Sequence, residues 1–188
     1  LRFRFFPVLL IVLISVPSMA QEIYVPDDYS TIQEAINAAN DGDTIVVRDG
    51  LYSVYLQINR SISLRSENGS AGCILEASTN DDVIEVHADN VSISGFTIRN
   101  GNDDGVDVEP DPVTSDPSDH VNISDNVFYS LYGGIQLEDS NSSVIMNNSI
   151  SSVTEGIYYV GASYSNLIVN NTISNSSYGI SISRAMEA

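Results

Sequence analysis

Apolar residues fall into three patterns along the chain. Val8 to Val16 is an almost unbroken apolar run behind the basic Arg2 and Arg4, and it ends at the small residues Ser18-Met19-Ala20. That pattern predicts an export signal over residues 1–20, with an apolar run too short to span a bilayer. Ile32, Ala35, Ile36 and Ala39 recur at helical spacing. They predict a short helix capped by Ser30, with Gln33 completing a capping box and Gly42 as the stop. From Thr44 onward, short β-branched runs alternate with Asn, Ser, Asp and Gly, which reads as strands and turns. Residues 21–43 are thus expected to be an N-terminal strand and capping helix, and 44–188 the main domain.

The strand region repeats. Ile123-Ser124-Asp125-Asn126-Val127-Phe128 matches Ile145-Met146-Asn147-Asn148-Ser149-Ile150 and Ile168-Val169-Asn170-Asn171-Thr172-Ile173, a repeat of about 22 residues. A Gly follows each copy, at Gly134, Gly156 and Gly179, and a looser copy upstream carries Gly105. A period of this length with short strands and no internal helix predicts a parallel β-solenoid. Leucine-rich repeats share the length but need another Leu spacing. In a solenoid, Ile123, Ile145 and Ile168 stack inside, and Asn126, Asn148 and Asn171 form a column at a turn. The Gly column is expected where a side chain would collide or where positive φ is required. The period gives about six coils. The chain ends just after a repeat strand, so further coils or a partner are expected to cover that end. The step from Phe96 to Asn126 is longer than the regular period, so the segment Pro110 to Asp119 projects from the rod.

Charge narrows the partners. There are 25 acidic residues against 7 Arg and no Lys, a net charge of −18, or −20 without Arg2 and Arg4. Nucleic acid is excluded, because its binding draws on Lys and Arg releasing counterions. The lone Cys73 cannot form an internal disulfide, and Cys/His-type structural zinc has no ligand set. Asn-x-Ser/Thr sequons at Asn68, Asn90, Asn122, Asn141, Asn147, Asn170 and Asn175 are glycosylation candidates in an exported chain, although the turns alone account for much of the Asn and Ser.

The opening Ile23-Tyr24-Val25-Pro26-Asp27-Asp28-Tyr29-Ser30-Thr31-Ile32-Gln33-Glu34-Ala35-Ile36, with Gly42-Asp43-Thr44-Ile45-Val46-Val47 and Gly50-Leu51-Tyr52, resembles right-handed parallel β-helix proteins of the pectin-lyase-like superfamily. The Asn-Asn-Thr-Ile repeats and Arg65-Ser66-Glu67-Asn68-Gly69-Ser70 look most like NosD-like β-helix domains of archaeal secreted and surface proteins. The resemblance implies an all-β right-handed parallel β-helix, secreted or at the cell surface and not membrane-spanning after signal cleavage. It says little about activity, because that superfamily holds lyases, hydrolases, esterases and non-enzymes.

Chemistry is concentrated at Asn102-Asp103-Asp104-Gly105-Val106-Asp107-Val108-Glu109. Clustered carboxylates suit glycoside hydrolysis or calcium, which makes Asp104 and Asp107 catalytic candidates and Asp103, Asp104, Asp107 and Glu109 calcium candidates. An acidic solvated loop is the plain alternative. Asn102-x-Asp104-Gly105 resembles one polygalacturonase motif, but that family's other motifs have no counterpart. A lyase would use an Arg base, for which Arg99 is the nearest candidate, and methylesterase motifs are absent. NosD suggests copper, yet His87, His120, Cys73, Met146 and Met186 share no repeat position. Tyr132, Tyr158 and Tyr178, beside the Gly turns, are candidates for stacking on sugars or for packing at corners. The expected role is a non-catalytic exported module that binds polysaccharide or another envelope component. A polysaccharide lyase or hydrolase, or a structural envelope spacer, are the alternatives.

Overall fold

The computed structural model describes residues 19–183, and the expected leader lies outside it except for Met19 and Ala20. Among the described residues no helix is long and apolar enough to cross a membrane. The chain winds as a parallel β-helix. One face is a seven-stranded sheet of Glu22–Val25, Thr44–Val47, Ser63–Ser66, Ser92–Ser94, Asn122–Ser124, Val144–Met146 and Leu167–Val169. A ten-stranded sheet bends to form two further faces. Its second face carries Gly50–Val54, Cys73–Ala77, Thr97–Arg99 and Thr172–Ser174; its third carries Leu56–Ile58, Ile84–Val86, Val106–Val108 and Tyr178–Ser183. The long strands Val127–Glu138 and Ser149–Val160 run through both.

Every pairing is parallel, and the register places like on like. On the first face Ile23, Ile45, Leu64, Ile93, Ile123, Ile145 and Ile168 form one column. Its five central members are buried, and a fully buried Ile or Leu contributes about 1.5–3 kcal/mol. The third face adds Leu56, Ile84, Val106, Ile135 and Ile157. There are seven rungs where the repeat arithmetic gives about six. The difference arises because Glu22–Val25 pairs in register with Thr44–Val47, so the coil begins before the helix.

The helix spans Ile32–Ala38 and buries Ile32, Ala35 and Ile36, with Ala39 beyond its end also buried. Its cap is Thr31 rather than Ser30. Thr31 is extended, its Oγ1 accepts from the Glu34 amide at 3.2 Å, and its own amide donates to Glu34 Oε2 at 3.2 Å. Glu34 therefore closes the capping box, and Ser30 only donates to it. Gln33 is released for another task. It exchanges hydrogen bonds with the backbone of Gln57, covering the open edge of the third face. Gly42 lies past the helix end, in a left-handed turn leading into Thr44.

The asparagine column forms as expected, but with its work divided. Asn126 and Asn148 are buried, and Asn148 Oδ1 accepts from the Asn126 amide at 3.0 Å and from Asn126 Nδ2 at 3.2 Å. Asn171 serves Asn148 in the same way, and Nδ2 of Asn126, Asn148 and Asn171 donates to the carbonyls of Ile93, Ile123 and Ile145. Phe96 occupies the column one coil earlier and donates its amide to Asn126 Oδ1. Positive φ belongs to the residue before, at Gly95, Asp125, Asn147 and Asn170. None of Gly105, Gly134, Gly156 and Gly179 has positive φ, and the first three are required sterically: a Cβ on Gly134 would sit 2.5 Å from the Gly156 carbonyl oxygen, whereas one on Gly179 would meet no atom of the described residues within 4 Å.

Asn148→Ala should therefore destabilise the protein by roughly 3 kcal/mol, since it strands buried amides and a carbonyl of the preceding coil. Asn147→Gly should cost less than about 0.5 kcal/mol, because Gly adopts positive φ freely. Urea unfolding of the two variants checks the contrast.

Candidate functional site

Strand alternation sends Ile84, Val86, Val106 and Val108 inward and turns Glu85 and Asp107 to the opposite side of the third face. In register, that outer row reads Gln57, Glu85, Asp107, Gln136, Tyr158 and Ser181. Glu85 accepts from Tyr55 OH at 2.6 Å, Gln57 Nε2 at 2.9 Å and His87 Nε2 at 3.2 Å. Gln136 donates to Asp107 Oδ1 at 2.8 Å.

At the corner between the second and third faces stand Asp82 and Asp104, both buried. Asp82 Oδ1 accepts from the Asp104 amide at 2.8 Å. Tyr158 OH donates to Asp104 Oδ2, while Asp104 Oδ1 is buried with no hydrogen-bond partner. Gly133 makes room for this carboxylate, because a Cβ there would strike Asp104 Oδ1 and the Tyr158 ring.

Burial pushes Asp82 up to about 7, Asp104 to about 6 and Asp107 to about 8, with neighbouring carboxylates adding to each shift. Glu85 moves the other way. Burial opposes its ionisation, but hydrogen bonds from Tyr55, Gln57 and His87 outweigh it and hold the carboxyl below its ordinary range. Adjacent rungs therefore carry a proton-retaining Asp107 and an ionised Glu85.

The four calcium candidates divide among three places. Asp103 and Asp104 gather with Asp82, Glu109 gathers with Glu85 and His87, and Asp107 lies in the row between. Arg99 is on the second face, where Glu76 and the Tyr129 hydroxyl hold its guanidinium. Of the tyrosines, Tyr158 enters the site through Asp104. Tyr178 stacks in register on Glu155 and Gly133, and Tyr132 immediately precedes Gly133; both rings are exposed, at 59% and 47%. Asp82 and Glu85 were not among the candidates read from the sequence, and His87 was weighed there only as a copper ligand without a repeat partner. Yet each stands one repeat period before a matching residue, at Asp104, Asp107 and Glu109, so the period extended one coil upstream locates them.

Five sequon asparagines, Asn68, Asn90, Asn147, Asn170 and Asn175, are exposed, while Asn122 and Asn141 are half-buried. Cys73 is fully buried, and burial pushes its thiol up to about 12.

Residues 36–187 match the family model described as periplasmic copper-binding protein (NosD). A cell surface glycoprotein of Methanothermus fervidus is 35% identical over 100 residues. The match covers 50% of this chain but only 16% of that protein's length. A pectin methylesterase mutant solved in complex with a hexasaccharide superposes with a TM-score of 0.50 at 15% identity, over 82% of this chain and 67% of its own. The Aspergillus niger pectin methylesterase gives 0.46 at 18% identity, over 93% and 69%. The likeness to the first of these structures is one of fold.

The raised carboxyls make stability fall with pH. Asp82, Asp104 and Asp107 keep protons in the folded state that the unfolded chain releases near 3.8. Between that value and about 8 the folded protein binds more protons, so each step up in pH costs stability. Thermal melts should show Tm dropping from pH 5 to pH 8. Asp107→Asn should flatten that drop and raise Tm at pH 8.

Proposed function

This chain belongs to the NosD family of periplasmic and cell-surface β-helix proteins, and we propose that it is an exported module binding a neutral polysaccharide along its third face. The observation that carries this reading is the tyrosine corner. Tyr158 donates to the Asp104 carboxyl, Tyr132 follows on the coil after Asp104 through its amide bond to the Asp103 carbonyl, and the exposed Tyr178 lies in register with Glu155, which accepts from Ser181 at 2.9 Å, so the three rings are spread along one edge of the third face. Rings with a polar tip next to carboxylate and hydroxyl groups match the apolar faces and hydroxyls of sugars. The strongly negative surface repels polyuronates, so the ligand is uncharged. The chain is glycosylated at exposed sequons, where the asparagine side chain reaches solvent.

A glycoside hydrolase is the second reading, favoured by one observation: Asp107 and Glu85 are in-register carboxyls with opposite pKa shifts, as an acid and a base require. Both are only 8% exposed, however, which leaves a sugar little access to them and favours binding over hydrolysis. The family description names copper, and its cuprous form suits the described residues poorly. Among the described residues Cys73 is sealed in the core, and Met146 and His120 lie on other segments, so no soft ligand set gathers.

Affinity electrophoresis against neutral and acidic polysaccharides tests the main reading. A neutral polysaccharide should retard the protein and polyuronate should not, with Tyr132→Ala and Tyr178→Ala each weakening binding roughly fivefold. Release of reducing ends that disappears in Asp107→Asn would establish the hydrolase instead. Binding by neither variant nor parent would refute both readings.

A further inference from the structure

We propose that His87 and Glu109 bind one divalent cation of the borderline class, represented by zinc, with Glu85 as the residue that positions the imidazole. The site stands apart from the tyrosine corner and does not depend on the polysaccharide reading. Its backbone is fixed by the coil: the His87 amide donates to the Ile58 carbonyl at 2.8 Å and the Glu109 amide to the Val86 carbonyl at 3.1 Å. Ser118 Oγ donates to the Glu109 carbonyl at 2.7 Å, tying the projecting segment to the same point.

The imidazole carries the inference. Its side chain is 8% exposed, and Nε2 lies 3.2 Å from Glu85 Oε2. An ionised carboxylate only accepts, so Nε2 carries a proton, and in the neutral imidazole, the form that ligates a metal, Nδ1 keeps its lone pair. Nδ1 is buried with no hydrogen-bond partner, and it faces Glu109 Oε1 at 3.7 Å. Two electron-rich atoms are thus aimed at each other across a gap too long for a hydrogen bond. Two ligands at about 2.0–2.2 Å from one zinc ion can lie up to about 4.2 Å apart, so the gap spans a shared ion. A carboxylate on the far nitrogen is the usual means of orienting a metal-binding imidazole, and Tyr55 and Gln57 in turn hold Glu85. Among the described residues no Arg pairs with Glu85 or Glu109, so the carboxylates have no other strong cation. One imidazole with oxygen ligands selects a borderline ion over calcium or cuprous copper. Water completes the coordination.

Titration of the chelator-treated chain with zinc, followed by calorimetry and by ¹⁵N NMR of the histidine rings, tests the site. The expected result is one equivalent of zinc bound, a shift of His87 Nδ1 on binding, and no displacement by a tenfold excess of calcium. His87→Ala and Glu109→Gln should each weaken binding at least tenfold with the β-sheet circular dichroism unchanged, whereas Asp103→Asn in the neighbouring acidic group should not. Glu85→Gln should disturb the Nε2–H tautomer as well as the affinity. The proposal fails if zinc binding survives His87→Ala, if calcium competes equally, or if zinc leaves a doubly protonated His87 ring unchanged.

Discussion

Parallel in-register stacking is the constraint on which the rest depends. Each residue of one coil lies against its counterpart in the next, so a favourable choice at one position is repeated along the rod, and so is an error. Isoleucine succeeds inside because it fills the bore in every coil of the first-face column but that of Leu64, and its branched side chain suits a strand. Asparagine succeeds at the buried corner for a different reason. Its side chain both donates and accepts, so each copy satisfies both a backbone amide and a carbonyl of the preceding coil. An aliphatic residue there would leave those groups buried and unpaired.

The same stacking is costly on the outside, where it brings like charges together. Glu85 and Asp107 are directly in register, and Asp82 and Asp104 are bonded one coil apart. The chain handles these encounters in two ways. Around Glu85 it supplies donors from Tyr55, Gln57 and His87 and keeps the carboxylate ionised. Around Asp107 and Asp104 it offers fewer donors, so the effect of burial prevails and pushes these carboxyls up instead. The chemical asymmetry of the third face is thus a product of repetition with unequal surroundings.

The projecting segment after Glu109 supplies what the regular coil cannot. A strict repeat would return the chain to the first face at once. The longer step instead holds Glu109 in place through Ser118, and so the third face ends in a shaped edge rather than a bare row. Insertions of this kind are where solenoids depart from symmetry and become specific.

The amino-acid sequence by itself determined the winding. The repeat period, the Ile and Asn columns and the buried stripe of Ile32, Ala35 and Ile36 were all legible, because they rest on local spacing and on residue types with narrow physical roles. Asp104 was legible as part of an acidic motif. Only the tertiary structure decided which carboxyls meet. The coils that follow Leu64 and Ile93 are longer than the rest, so residues distant in sequence become neighbours only once the register is known. That register placed Arg99 beside Glu76 instead of the Asp104 cluster and brought His87 to Glu109. These outcomes depend on how each coil closes on the next, and short-range patterns carry no record of closure.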